Sequence, residues 1–149
     1  PESQLDRFLM CIALGYPDAA AERALLAGED RRALLAHQET LLTPDERDAL
    51  FAAAARVHVA PPLLDYVQAL LAHSRQADGF GLGLSPRAGL GLVAAARAWA
   101  LLAGRDLVLP EDVQAVLPAV AGHRLRGDGD RRLSPDERVR RLIEAVPLP

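Results

Sequence analysis

The chain has 149 residues, half of them hydrophobic, and its formal net charge at pH 7 is −3. This length is enough for one domain with a buried core, and the slight acidity excludes a general electrostatic attraction to nucleic acid. All 17 basic residues are arginines, so the chain contains no phosphate-binding loop of the Gly-Lys-Ser/Thr type. Its 55 alanines and leucines favour helices over sheets.

Cysteine content and hydropathy indicate the compartment. Cys11 is the only cysteine, which excludes an internal disulfide and fits a reducing compartment. The sequence has neither an apolar run of about 18 residues nor a basic-then-apolar leader. We therefore expect a cytoplasmic protein without a membrane span. The chain begins at Pro1 rather than at a methionine, and we interpret it as a fragment of a longer protein.

The first predicted element is the apolar run from Phe8 to Leu14, which Gly15-Tyr16-Pro17 ends. Such a run is typical of a strand that is buried on both faces of a parallel sheet. No second strong strand accompanies it, so we expect its partners to be missing from this chain. Its unpaired edges predict weak anchoring, or pairing with another molecule.

From Asp18 onward the signals are helical. Helix starts are indicated by Asp18, by the capping box Thr43-Pro44-Asp45-Glu46, by Pro61, by Ser85-Pro86, by Pro110 and by a second capping box, Ser134-Pro135-Asp136-Glu137. The corresponding ends are predicted at Leu26, at Arg56, before the Gly79–Gly83 loop, at Gly104, at Ala121 and near Val146. A weaker helix is predicted over 31–37, and a flexible turn over 127–130.

Three further expectations concern pairing and packing. The short extended stretches Val57-His58-Val59 and Leu107-Val108-Leu109 are candidates for a small two-stranded ladder. Trp99, at helical spacing in the helix that follows Ser85, is assigned to the core. The helix after Pro61 is expected to bury one face, made of Leu63, Leu64, Val67, Leu70 and Leu71.

Eight short motifs are spread over the chain from one end to the other. They are Leu5-Asp6-Arg7-Phe8, Leu14-Gly15-Tyr16-Pro17, Leu84-Ser85-Pro86-Arg87-Ala88, Ala95–Ala100, Gly104–Val113, His123-Arg124-Leu125, Val139–Ile143 and Val146-Pro147. In this order they resemble the motifs of MoxR-type AAA+ ATPases. The resemblance implies a mainly α fold, an AAA+ lid-type helical bundle with the short two-stranded ladder as an option and an orphan N-terminal core strand. It divides the chain into the end of the ATPase core (1–17) and the lid (18–149).

The resemblance implies that Arg87 is the "sensor 2" arginine, which reaches the nucleotide phosphates, with Ser85 as its helix cap. Elementary chemistry agrees, because the second position of a helix lies near the positive end of the helix dipole. The planar fork of arginine also suits phosphate. The alternative is a solvated arginine on an ordinary first turn.

The resemblance also implies a role for Arg7 as an arginine finger, which faces the γ-phosphate held by the neighbouring subunit. Asp6 would orient Arg7 or pair across the subunit interface. The alternative is a solvated Asp6–Arg7 ion pair at the entrance to a strand. Whether Arg87 reads the nucleotide of its own subunit or that of a neighbour stays open at this point.

For the parent protein the resemblance implies binding of ATP with Mg²⁺, assembly into a homo-oligomeric, hexameric ring, and chaperone-like remodelling of client proteins. The implied partners are its own AAA+ core and the neighbouring subunits, with a von Willebrand factor A domain protein as a further candidate. The chain alone is expected to be inactive and to bind no cofactor, because it has no lysine and therefore no Gly-Lys-Ser/Thr loop. Its histidines show no metal-ligand spacing. The alternatives are a stand-alone helical protein-interaction module without a nucleotide role and a helix-turn-helix DNA reader. Net acidity and the lack of a basic recognition helix disfavour the DNA reader.

The chain departs from the family pattern at three positions. Leu109 stands where threonine is usual, so the helix at Pro110 is expected to lack a side-chain cap. Gly89 and Gly91 lie inside the helix that carries Arg87, where each costs about 1 kcal/mol relative to alanine. We therefore expect the first turns of that helix to be loose.

Overall fold

The computed structural model describes residues 2–28, 31–125 and 133–149; the turn predicted over 127–130 lies outside these ranges. The described residues form eight α-helices, and the mainly α fold class is confirmed. In chain order they are α1 (Glu2–Leu5), α2 (Ala19–Leu26), α3 (Arg31–Ala36), α4 (Pro44–Arg56), α5 (Pro61–Gln76), α6 (Pro86–Leu102), α7 (Pro110–Ala121) and α8 (Pro135–Ala145). No helix in these ranges is long and apolar enough to cross a membrane.

Local capping chemistry explains where most helices begin. At the start of α4, the Thr43 hydroxyl accepts the Glu46 N–H at 3.3 Å, and the Glu46 carboxylate accepts the Thr43 N–H at 2.8 Å. Ser134 and Glu137 form the same reciprocal box at the start of α8. Each box satisfies N–H groups that have no partner inside their helix. Gly104, with a φ of +72°, reverses the chain after α6.

The core lies between α5, α6, α7 and α8, with α4 against the outside of α6. On α6 the buried side chains are small apart from Leu92: the other members are Ala88, Gly89, Ala95, Ala96 and Ala100. Gly89 permits the closest approach, because a Cβ there would lie 2.7 Å from Leu71 Cδ1. The helix-weakening glycine therefore has a packing reason. The largest fully buried aliphatic side chains are Leu70, Leu92, Leu117, Leu125 and Leu142.

Two of the predicted core positions are wrong. Leu64 is 47% exposed, although the rest of the predicted face of α5 is buried or half-buried. Trp99 shares a face with Leu92 by helical spacing, yet its side chain is 49% exposed. Its indole lies near the C-terminal end of α6, where the described chain covers only about half of it.

The extended segments form less pairing than a sheet requires. The candidate ladder is a single parallel bridge, in which the His58 N–H donates to Asp106 O at 2.7 Å and the Val108 N–H donates to His58 O at 2.9 Å. Residues 8–14 have no strand partner within the described ranges, and most of their apolar side chains are exposed. The Cys11 N–H instead donates to Ala119 O in α7 at 2.9 Å. The strand predicted over residues 8–14 is therefore not formed in the described chain, where no strand lies beside it to pair with.

The start of α7 is capped from inside the helix. Leu109 supplies no side-chain cap, as predicted, but the Asp112 carboxylate accepts the Leu109 N–H at 2.8 Å. Arg105 donates two hydrogen bonds to the same carboxylate, at 2.6 and 2.5 Å. The hydrogen bonds from Arg105 outweigh burial and lower the pKa of Asp112. This ion pair ties the loop before α7 to the first turn of the helix.

Candidate functional site

Two of the predicted site residues, Asp6 and Ser85, meet at a junction between the N-terminal segment and the start of α6. We call it the N-terminal junction and define it as Asp6, Phe8, Leu9, Ser85 and Arg124. At its centre the Arg124 guanidinium donates to Asp6 Oδ1 at 2.9 Å, to Asp6 O at 3.0 Å and to Leu9 O at 3.2 Å. It also donates to the carbonyls of Phe8 and Val120. The side chain of Arg124 is only 6% exposed, so these bonds form largely out of water.

Ser85 joins the Asp6 carboxylate to the first turn of α6. Its hydroxyl lies 3.1 and 3.0 Å from the two carboxylate oxygens of Asp6 and donates to them. The same oxygen accepts the Ala88 N–H at 3.1 Å as the helix cap. A carboxylate is thus held at the positive end of α6, where the helix dipole favours negative charge.

The charge of Asp6 is stabilised by its neighbours. Burial raises its pKa, but hydrogen bonds from Arg124 and Ser85 and the positive charges of Arg124 and Arg87 outweigh burial, so the net pKa lies below its ordinary value. Arg87 is therefore close enough for its charge to act on Asp6. The carboxylate is expected to stay ionised throughout the neutral range.

The two candidate arginines both lie beside this junction. Arg87 is the second residue of α6 and is exposed. Arg7 follows Asp6 directly in the turn after α1, where its N–H donates to Gln4 O at 3.3 Å, and its side chain is also exposed. The hydrogen bonds to the Asp6 carboxylate come from Arg124 and Ser85, so the orienting of Arg7 by Asp6 stays a prediction.

Leu9 packs over the helix that carries Arg87. A Cβ at Gly91 would lie 2.8 Å from Leu9 Cδ1, so glycine at this position makes room for the segment on α6. Gly91 therefore has a packing reason of its own. Both glycines that weaken α6 on propensity grounds therefore lie where a neighbouring side chain approaches the helix closely.

His123, next to Arg124, is the other titratable group at this place. Within the described chain both of its ring nitrogens are buried, and neither makes a well-aligned hydrogen bond. Burial first, and then the charge of Arg124, lower its pKa, against the opposing effects of the Phe8 and Ala119 backbone and of the Asp6 charge. His123 is therefore neutral in the folded chain at neutral pH.

This burial predicts a pH dependence of stability. The pKa of a histidine in the unfolded chain is about 6.5, and in the folded chain that of His123 is lower. Below about pH 6.5 the unfolded chain therefore binds more protons at His123 than the folded chain does. The free energy of unfolding consequently decreases as the pH is lowered, by at most about 1.4 kcal/mol per pH unit. Above that pH the contribution of His123 is fully present. Urea denaturation at several pH values measures this slope.

In His123→Gln the free energy of unfolding should depend less steeply on pH below about pH 6.5. The exposed residue His37 provides the control, since His37→Gln should follow the unmodified chain. Asp6 and Asp112 have lowered pKa values, so they lose their contribution only in more acid solution. An unchanged slope in His123→Gln would contradict the neutral, buried state.

Sequence reasoning missed the importance of Arg124. The His123-Arg124-Leu125 motif marks the end of the helix after Pro110, but it carries no signal that Arg124 reaches residues 6–9. In the described ranges, no three residues among His, Cys, Asp and Glu lie close enough together to hold a metal ion. The site is thus a surface of arginines supported by one carboxylate.

Comparison with known proteins identifies the class and then the family. Residues 72–145 match the model of the AAA lid domain family. The chaperone MoxR1 of Mycobacterium tuberculosis is 37% identical over 161 aligned residues, which cover 100% of this chain and 42% of that protein. The protein MoxR of Paracoccus denitrificans is 38% identical over 144 residues, covering 84% of this chain and 42% of that protein. The chain belongs to the MoxR-type AAA+ ATPases.

A solved structure supports the fold. The crystal structure of a candidate ATPase from Cytophaga hutchinsonii superposes with a TM-score of 0.83 at 24% identity, covering 100% of this chain and 49% of that one. The chain spans about half the length of the curated relatives it matches, from 42% to 50%. The other half of these relatives has no counterpart in this chain.

Proposed function

We propose that this chain forms the lid, and the end of the core, of an ATPase that assembles into a ring and hydrolyses ATP at its subunit interfaces. Residues 1–17 belong to the core end and 18–149 to the lid. The observation that carries the proposal is the hydrogen bonding of Asp6 to Ser85. It places the turn that bears Arg7 beside the first turn of the helix that bears Arg87.

This placement favours action of both arginines at one nucleotide. An arginine finger acts on the γ-phosphate held by a neighbouring subunit, so Arg7 must lie at the subunit interface. Arg87 begins the helix whose cap is bonded to the residue before Arg7, and its charge acts on Asp6. We therefore propose that one subunit presents Arg7 and Arg87 together to the nucleotide of the next, so that sensor 2 acts in trans.

The chain's residues fit the phosphates of ATP better than they fit its metal ion. Two exposed arginines near the positive end of α6 supply the planar donors that triphosphate needs. The described chain offers no cluster of metal ligands, so we assign Mg²⁺ no ligand here. In the intact protein Mg²⁺ would neutralise phosphate charge, while Arg7 and Arg87 bind and orient the γ-phosphate.

At the level of the assembly, we propose a cytoplasmic, hexameric, chaperone-like machine. MoxR1, to which the chain is similar, is described as a chaperone, and this supports remodelling or maturation of client proteins as the role. The partners would be the protein's own core and neighbouring subunits, with a von Willebrand factor A domain protein as a further candidate partner.

Replacement of Arg87 by alanine in the intact ATPase tests the nucleotide role. The exposed first-turn side chain contributes little packing, so folding should survive. ATP hydrolysis and discrimination between ATP and ADP should both fall, because a charge-assisted contact to the γ-phosphate is lost. Steady-state hydrolysis and nucleotide titration measure the two effects.

The control is Arg47→Ala, which removes an exposed arginine whose ion pair, with Asp48, is local. Its hydrolysis should match that of the unmodified ATPase, because exposed ion pairs contribute little. Unchanged turnover and unchanged ATP/ADP discrimination in Arg87→Ala would return Arg87 to an ordinary surface charge. That result would favour the alternative function, a helical protein-interaction module without a nucleotide role.

A further inference from the structure

We propose that Arg124 is a positioning residue that fixes residues 6–9, which we call the finger segment, to α6, so that Arg7 and Arg87 are presented as one rigid unit. This inference rests on the proposed function. Arg124 does not touch the nucleotide; it acts through residues 6–9. Its guanidinium binds both the side chain and the backbone of that segment, while Ser85 ties the same carboxylate to α6.

The choice of acceptors is the first argument. Besides the Asp6 carboxylate, the acceptors on the N-terminal segment are backbone carbonyls, those of Asp6, Phe8 and Leu9. Bonds to successive carbonyls fix the path of the backbone rather than one side chain. The residue whose position this path determines is Arg7, which lies between two of them.

The second argument is the anchoring of Arg124 itself. Its guanidinium also donates to Val120 O in the last turn of α7, which holds the donor fixed relative to that helix although Arg124 itself lies just beyond its end. The side chain is almost wholly out of water, where donors left without partners are costly. Arg124 therefore links three elements: the finger segment, α7 and, through Asp6 and Ser85, the start of α6.

The third argument is the chemistry of arginine. Its planar fork carries five N–H donors, whereas lysine carries three donors on one compact ammonium. One ammonium cannot reach acceptors spread along residues 6–9 and on Val120 at the same time. Lysine at position 124 is therefore expected to keep the charge and lose the positioning.

The test is made in the intact ATPase with Arg124→Gln and Arg124→Lys. A misplacement of a catalytic group by about 1 Å costs on the order of 10²-fold in rate. We expect kcat to fall by about that factor in both variants, with nucleotide affinity unchanged. Hydrogen exchange at the amides of residues 8–11 should become faster, because the segment loses its hydrogen bonds to Arg124.

Arg105→Gln is the matched control. Arg105 makes a bidentate ion pair with Asp112 in the same lid. Its other side-chain hydrogen bond goes to Leu107 O, so none of the hydrogen bonds described for its side chain reaches residues 6–9. A merely structural loss would affect both variants alike. We expect Arg105→Gln to weaken the fold while hydrogen exchange at residues 8–11 and kcat per folded ring stay unchanged.

Asp6→Asn provides a second variant, since its side chain is one-third exposed and the fold tolerates the change more readily. It should lower kcat less than Arg124→Gln. The double variant should be no worse than Arg124→Gln alone, because the two residues act as one unit. Additive losses would contradict the coupling.

The outcomes separate this inference from the proposed function. If Arg7→Ala and Arg87→Ala impair hydrolysis but Arg124→Gln, Arg124→Lys and Asp6→Asn do not, the positioning role is overturned and the proposed function stands. If Arg7→Ala and Arg87→Ala leave hydrolysis unchanged, the proposed function fails. Faster exchange at residues 8–11 together with reduced kcat, absent from Arg105→Gln, supports positioning.

Discussion

Arg7→Ala is expected to lower the rate of ATP hydrolysis by an intact ATPase carrying this chain by about 10³–10⁵-fold, the range found when arginine fingers are removed from other nucleotide hydrolases. The reason is that a finger stabilises charge that develops only in the transition state. Arg7 is exposed in the turn after α1, so the fold should be kept. Steady-state kinetics, nucleotide binding and sedimentation together measure the effect.

The Arg7→Lys variant sharpens this prediction. It keeps the positive charge but not the planar fork, so it should recover little of the lost rate. Both variants should still bind ATP and assemble into rings. A rate close to that of the unmodified protein in Arg7→Ala would make Arg7 a surface residue whose partner is solvent.

Leu92→Ala is expected to lower the free energy of unfolding of this chain by about 2–5 kcal/mol. Leu92 is 1% exposed and is the one large side chain on the buried face of α6. The neighbouring alanines cannot expand to fill the cavity. Urea denaturation with far-ultraviolet circular dichroism measures the loss.

Leu90→Ala is the matched control on the same helix. Leu90 is 76% exposed, two residues from Leu92 and on the opposite side of α6. Its replacement should change the free energy of unfolding by no more than about 0.5 kcal/mol. Equal losses in the two variants would contradict the assignment of the buried face.

Helix boundaries could be predicted from this sequence because their causes are local. The capping box at Thr43 and the proline at position 44 lie within four residues of each other, and α4 runs from Pro44 to Arg56 as predicted. The same holds for α7, from Pro110 to Ala121. Hydrogen bonds between residues three apart in sequence need no knowledge of the fold.

The buried face of α6 could not be predicted in the same way. Alanine and leucine occur all around this helix, so periodicity selects no side. The structure places alanines and Leu92 inside, and leaves Leu90 and about half of Trp99 exposed. The choice depends on α5 and α7, which pack against α6 and are not visible in the sequence of α6 itself.

The junction was the part least accessible to sequence reasoning. The resemblance directed attention to Asp6, Arg7, Ser85 and Arg87, and the structure brings these four to one end of α6. Their link through Arg124 joins residues 118 positions apart in the chain. No local pattern encodes such a contact, and an arginine at the end of a helix ordinarily suggests only a favourable helix dipole.

We propose that Arg7 and Arg87 of one subunit act on the nucleotide of the next, and mixed rings test this proposal most directly. Arg87→Ala subunits are assembled with subunits that cannot bind ATP, and mixtures with Arg7→Ala subunits serve as the reference for action in trans. If Arg87 acts in trans, both mixtures regain hydrolysis, since some interfaces pair an intact nucleotide site with intact arginines. If the Arg7→Ala mixture regains activity while the Arg87→Ala mixture, with confirmed co-assembly, does not, Arg87 reads its own subunit's nucleotide and the claim is contradicted.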